Sequence, residues 1–146
     1  PDVLNNSVSE ELVLERLRSK AFYNRALSGL YLDQRFLAGL GNYLRSEILF
    51  AAGVHPTLKP SQLGDEQLRS LAHHTLAICK RSYETGGYTV YTELREVLEA
   101  KGVNFEGTRF MVFDREEQPC RVCATLIKRQ TYNGRRLYWC SQCQAM

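Results

Sequence analysis

Apolar residues recur at helical spacing over most of this chain and at strand spacing only near its end. Val8, Leu12, Val13 and Leu17 predict a first helix, and Ser7-Val-Ser-Glu10 has the spacing of a capping box in front of it. Asn24 to Leu32 is a short connection or another helical piece. Tyr31 to Phe50 reads as helix, glycine-punctuated turn, helix. Gly39 and Gly41 permit the turn, Asn42 is placed to cap the second helix, and Leu44, Ile48 and Leu49 face inward. Gly53 ends that helix, and His55-Pro56 follows as a break. Leu68, Leu71, Ala72, Thr75, Leu76 and Cys79 form the inward stripe of a further helix, stopped by Gly86-Gly87. His73 and His74 flank the stripe, where hydrogen bonding suits them better than metal binding. Val90, Leu94, Val97 and Leu98 predict a short helix within Tyr88 to Lys101, ended by Gly102.

Beyond it the period changes. Phe110 to Phe113 looks like a short strand or an extended lead. Ala124 to Gln130 and Arg136 to Trp139 predict two strands, with Asn133-Gly134 as the tight turn between them. The fold class expected is mainly α with a small β-hairpin, divided as 1–88 helical, 89–109 connector and 110–146 hairpin unit.

The hairpin lies between two CxxC pairs. Cys120-Arg-Val-Cys123 and Cys140-Ser-Gln-Cys143 are separated by 16 residues, a spacing that fits one tetrahedral four-cysteine Zn²⁺ site. Two disulfides or a redox pair are the alternatives, and no βαβ setting supports the latter. From Arg121 to the end there are five Lys/Arg and no Asp or Glu. Four thiolates on one Zn²⁺ carry a formal charge of about −2, so the unit remains basic. Arg135 at the tip and Arg136 after it suit phosphate contact, although a solvated basic face would look the same.

Composition adds little more. The chain has 146 residues, 44% of them hydrophobic, and a net charge of +3, which permits nucleic-acid binding without requiring it. No apolar run reaches membrane-spanning length and the N-terminus lacks a signal-peptide layout. Clustered CxxC pairs without a secretory signal predict a reducing, cytoplasmic setting. Cys79 stands alone on an apolar face and is expected in the core. Backbone N–H groups at a glycine-opened helix start form an anion site, and Asn42 can add its side-chain amide. A helix hairpin of that kind grips a DNA backbone without reading bases. The other reading is an ordinary capped turn.

Several stretches together resemble the C-terminal region of the formamidopyrimidine-DNA glycosylase and endonuclease VIII family. They are Phe22-Tyr-Asn-Arg25, Leu32-Asp-Gln, Leu40-Gly-Asn42-Tyr-Leu-Arg-Ser-Glu-Ile-Leu49, Phe50-Ala-Ala-Gly-Val-His-Pro56, Pro119-Cys, Tyr-Trp-Cys140 and Cys143-Gln144. Leu-Gly-Asn-Tyr-Leu-Arg with Tyr-Trp-Cys is closer to the endonuclease VIII branch. Ala-Ala-Gly-Val-His-Pro leans towards the purine-preferring formamidopyrimidine branch. The resemblance implies a helix–two-turn–helix followed by a four-cysteine zinc finger, both holding double-stranded DNA with an oxidised base or abasic site. It implies that Asn42 binds a phosphate, and that Arg135, not Arg136, clamps phosphates and assists the late elimination step; Gly41 at the helix start and Arg136 on the basic hairpin are expected DNA contacts beside them. A monomer is expected.

The family's nucleophile is an N-terminal proline followed by glutamate on a β-sandwich domain. Pro1-Asp2 here resembles a domain junction instead. The chain is therefore expected to be a fragment, inactive alone. A free-standing zinc-ribbon module and a protein-interaction domain are the competing classes.

Overall fold

The computed structural model describes residues 8–146. Pro1 and the expected capping box from Ser7 therefore lie partly or wholly outside the described residues. The observed cap of α1 (Glu10–Arg18) is Ser9, whose hydroxyl accepts the Leu12 N–H at 3.2 Å. Then follow α2 (Leu27–Leu30), α3 (Asn42–Ala52), a 3-10 turn at Pro60–Gln62, α4 (Asp65–Thr85), α5 (Thr92–Ala100) and α6 (Phe105–Thr108). The chain ends in an antiparallel hairpin, β1 (Lys128–Tyr132) and β2 (Arg135–Trp139).

α4 is the spine, with α1 and α3 packed against it. Its buried row is Leu68, Leu71, Ala72, Thr75, Ile78, Cys79 and Ser82, so the predicted stripe holds apart from Leu76, which is half-buried. Gly86 adopts φ +74° at its end. On the α1–α4 surface, His73 Nδ1 lies 2.7 Å from Glu10 Oε1, the hydrogen bond expected of it.

The first half of the expected helix pair is not helical. Residues 31–40 form successive turns, because side chains take the backbone donors a helix would use. Asp33 Oδ1 accepts the Arg35 N–H at 2.8 Å and Gln34 Oε1 accepts the Gly39 N–H at 3.2 Å. Gly39 then turns with φ +89°. Asp33 also sits between two arginines, 2.9 Å from Arg35 Nη2 and 2.6 Å from Arg25 Nη1. The Arg35 bonds first, then Arg25, hold its carboxyl well below the usual carboxylate range. A lowered folded-state value gives stability that is complete at neutral pH and is lost only in acid, below the ordinary aspartate range. At pH 7, Asp33→Asn should cost roughly 2 kcal/mol in urea unfolding, the scale of hydrogen bonds to charged groups. A loss under ~0.5 kcal/mol would show that the ion pairs contribute nothing.

Three later elements differ from the pattern-based expectation. The first strand begins at Lys128 and not at Ala124, because residues up to Thr125 close the first CxxC turn. Thr125 O accepts the Cys120 N–H at 2.7 Å, and Ala124 sits at φ +67°. Residues 110–113 are not a strand. The N–H groups of Met111, Val112 and Phe113 all converge on the Glu47 carboxylate, whereas successive N–H groups of a strand alternate in direction. α5 begins after Val90, and no residue on it is buried; Val97 is 49% exposed.

Two cores result. One joins the helices with Leu137 and Trp139 of β2, and the other joins Phe50, Tyr88, Val90, Met111 and Val112 with Ile127, Tyr138, Cys120 and Cys140. Both include residues of the hairpin unit, which is therefore not a detached appendage. Among the described residues no helix is long and apolar enough to cross a membrane.

Candidate metal centre and nucleic-acid interface

The four cysteines meet at one point. Their sulfurs all lie within 4.8 Å of one another, with Cys120 to Cys143 at 3.9 Å and Cys123 to Cys140 at 3.4 Å. Tetrahedral Zn–S bonds of about 2.3 Å require S···S separations of ~3.8 Å, so the four thiols fit one zinc ion. None of the five cysteines is disulfide-bonded, which removes the alternative pairing. The Val122 N–H donates to Cys120 Sγ and the Cys143 N–H to Cys140 Sγ, both at 3.4 Å. Such donors stabilise thiolates. Hydrogen bonding with Thr125 brings Cys123 down to about 6, while burial pushes Cys143 up; a cation at the centre ionises all four. Four protein ligands leave no open position, so the metal's role here is structural.

Gln144 anchors this centre to the helices. Its Oε1 accepts the Cys140 N–H at 2.9 Å and its Nε2 donates to Val54 O at 3.1 Å, just beyond α3. Arg115 reaches Met111 O at 2.8 Å and Pro119 O at 2.9 Å, tying the Glu47-bound loop to the first CxxC turn.

The hairpin turn has the left-handed pair that its sequence predicts, Asn133 at φ 56° and Gly134 at φ 75°. Arg135 and Arg136 follow, both exposed. Among the described residues the Arg135 guanidinium has no hydrogen-bond or ion-pair partner. The tip does not wave in solvent: α3 holds it through three residues. Asn42 Nδ2 donates to Arg136 O at 2.9 Å, Arg45 Nη2 to Arg135 O at 3.1 Å, and Ser46 Oγ accepts the Tyr138 N–H at 3.0 Å.

Asn42 is thus not the cap that its position suggests. Gly41 is the N-cap residue, without a side-chain bond, and Asn42 is the first residue of α3. Its Oδ1 accepts from Arg45 at 3.0 Å, and its second amide hydrogen is directed to no acceptor among the described residues. Gly41 has φ −86°, a value any residue adopts, and a Cβ built there would meet nothing within 4 Å. Nothing among the described residues demands a glycine at this position. α1 and α4 carry Glu10, Glu11 and Asp65, Glu66 in their first turns, whereas α3 carries no acid there. The positive end of α3 is left unneutralised. Arg45, Ser46, Glu47 and Gln144 are the site residues that periodicity misses. The one signal for the first three is a polar run inside an otherwise apolar helix.

Residues 1–94 match the family described as the Formamidopyrimidine-DNA glycosylase H2TH domain. Endonuclease 8 of Escherichia coli O9:H4 (strain HS) is 45% identical over 146 residues, covering 99% of this chain and 51% of that protein. Endonuclease 8 of Shigella sonnei (strain Ss046) is 44% identical over 144 residues, with the same coverages of 99% and 51%. Among solved structures, MutM (Fpg) from Thermus thermophilus superposes with a TM-score of 0.76 at 28% identity, over 99% of this chain and 53% of that one. Fpg of Lactococcus lactis, solved in complex with DNA containing an abasic site, shares the fold with a TM-score of 0.76 at 23% identity, over 100% of this chain and 51% of that one. The chain spans about half the length of the relatives it matches.

Proposed function

The chain belongs to the Formamidopyrimidine-DNA glycosylase H2TH family, and on that footing we propose that it is the DNA-gripping part of a base-excision-repair glycosylase with AP-lyase activity, of the endonuclease 8 kind. One observation carries the reading. A single nitrogen, Arg45 Nη2, bonds both Asn42 Oδ1 at 3.0 Å and Arg135 O at 3.1 Å. The open end of α3 and the unpartnered arginine of the zinc hairpin therefore stand side by side.

In this reading Gly41, Asn42, Arg135 and Arg136 contact the phosphates around the damaged site of a duplex. The α3 amides and the Asn42 side chain hold one phosphate. Arg135 clamps its neighbour and steadies the charge on the phosphate that leaves during elimination. The contacts carry no base sequence, which suits an enzyme that must hold any strand while one damaged base leaves the stack. The amine that attacks the sugar comes from the part of such a protein beyond the matched half. Oxidised pyrimidines are the substrate class favoured here, on the 45% identity with Endonuclease 8. The protein works as a monomer in a reducing cytosol, where thiolates persist.

A zinc-loaded sample titrated with duplex carrying a stable abasic-site analogue tests this. Asn42→Ala should weaken binding by about 1–3 kcal/mol, and thermal melts must accompany the titration. Binding equal to that of the parent would remove Asn42 from the interface.

A further inference from the structure

Arg115 and Arg121 flank Pro119-Cys120 in sequence. Both are half-buried, and among the described residues neither forms an ion pair. Arg115 Nη1 donates to Met111 O at 2.8 Å and its Nη2 to Pro119 O at 2.9 Å, while Arg121 Nη2 donates to Gly107 O at 2.8 Å. The Nε atom of each is buried without a partner. Every bond these side chains make therefore ends on a neutral carbonyl. Burial, and then the Arg121 charge, push Arg115 down to about 10, against the pull of Cys120 and Glu47. Burial also lowers Arg121, against the pull of Glu47 and Tyr91.

Two neighbouring guanidiniums without a counter-ion are expensive to hold out of water. A neutral amide would tie the same carbonyls at lower cost. The counter-ion is the metal centre. Four thiolates around one Zn²⁺ carry a formal charge of about −2. Cys120, next in sequence to the carbonyl that Arg115 binds, is 3% exposed. Glu47 adds a buried carboxylate: it accepts the Met111 N–H at 2.6 Å, while Arg115 binds the Met111 carbonyl at 2.8 Å. Charges this close and this poorly solvated are weakly screened.

We propose that Arg115, with Arg121 beside it, supplies the positive charge that balances the four-thiolate centre and so sets how tightly this chain holds its zinc. The pair lowers the energy of four anions gathered at one point. It does so from a rigid seat, because backbone carbonyls fix each guanidinium. The arginines act through the thiolates and not on DNA, so the DNA-gripping reading stands or falls apart from them.

The residue that replaces Arg115 separates charge from bracing. Arg115→Lys keeps the charge and loses the planar fork, whereas Arg115→Gln keeps amide donors and loses the charge. The zinc affinity of the folded chain is measured by competition with a chromophoric chelator. Arg115→Gln should hold zinc about ten-fold more weakly, the scale seen for groups just outside the ligands, and Arg115→Lys within about three-fold of the parent. Arg129→Gln removes an exposed cation paired with Glu116 and should change the affinity less than about two-fold. The reverse order, with Arg115→Lys weak and Arg115→Gln like the parent, would make Arg115 a brace and overturn the proposal. Equal losses in the two, or a loss in Arg129→Gln as large as in Arg115→Gln, overturn it as well. Should Arg115→Gln fail to fold, Arg121→Gln takes its place, since it gives up a single bond to Gly107 O. Unchanged zinc affinity there overturns the proposal. A parent chain that takes up no zinc removes the metal reading and the proposal with it.

Discussion

Removing zinc from this chain should melt far more than a hairpin. The purified protein is expected to carry about one zinc per chain, and chelation to lower its thermal stability throughout. The reason lies in how the hairpin is built into the cores. Leu137 and Trp139 complete the core of the helices, while Cys120, Ile127, Tyr138 and Cys140 share the second core with Phe50 and Val112. Gln144 binds the second CxxC turn to the end of α3. Without the metal, four thiols must close around no cation, and the strands lose the clamp at their open end. A structural zinc contributes on the order of 10 kcal/mol in small zinc-binding peptides, more than the whole stability of many domains. Cys140→Ser should act in the same direction. Circular dichroism with and without chelator is the check, and helical signal should fall along with hairpin order. A metal-free protein that melts like the parent would refute the structural role.

The second large effect is expected at Glu47. This carboxylate is 1% exposed and accepts the Thr89 hydroxyl together with the N–H groups of Met111 at 2.6 Å, Val112 at 2.8 Å and Phe113 at 3.1 Å. Burial pushes its carboxyl up, and the four donors pull it back. Without the carboxylate the single Thr89 hydroxyl hydrogen can turn to Arg109 O, 2.9 Å away, but the three backbone donors have no other acceptor among the described residues. Glu47→Ala should cost at least about 3 kcal/mol, since each buried donor left unmet costs roughly 1–3 kcal/mol. Glu47→Gln should recover about half, because one oxygen remains while its amide would set N–H against N–H. The loop it folds sets Phe113 edge-to-face against Tyr138 of β2, with ring centroids 4.9 Å apart, so loss of the carboxylate also loosens the hairpin. Urea midpoints decide the matter. A change under ~1 kcal/mol for Glu47→Ala would mean that water replaces the carboxylate.

What could be read in advance follows the physics of each feature. Metal spacing and turn chemistry are local, so the four cysteines and Asn133-Gly134 were legible from neighbouring residues alone. Long apolar stripes are local too, which is why α3 and α4 stand where the pattern places them. The turns at 31–40 were hidden, because Asp33 and Gln34 bond backbone donors over two and five residues, and apolar periodicity carries no trace of that. Residues 110–113 read as a strand because their apolar side chains resemble one, and the carboxylate that curls them is more than 60 residues away in sequence. Asn42 stands out in the sequence for its position at the start of a helix, but its partners Arg45 and Arg136 show that its amide is oriented by the hairpin, not by a capping bond. A free-standing zinc ribbon accounts for the cysteines and leaves the match over residues 1–94 unexplained.

The most direct test of the grip lies in salt. The zinc-loaded chain and its Arg135→Ala variant are titrated with abasic-analogue duplex across a series of salt concentrations, and the logarithm of affinity is plotted against that of salt. The account predicts a falling line for the parent, and for Arg135→Ala weaker binding with a slope shallower by about one phosphate contact. Equal slopes and equal affinities would contradict it.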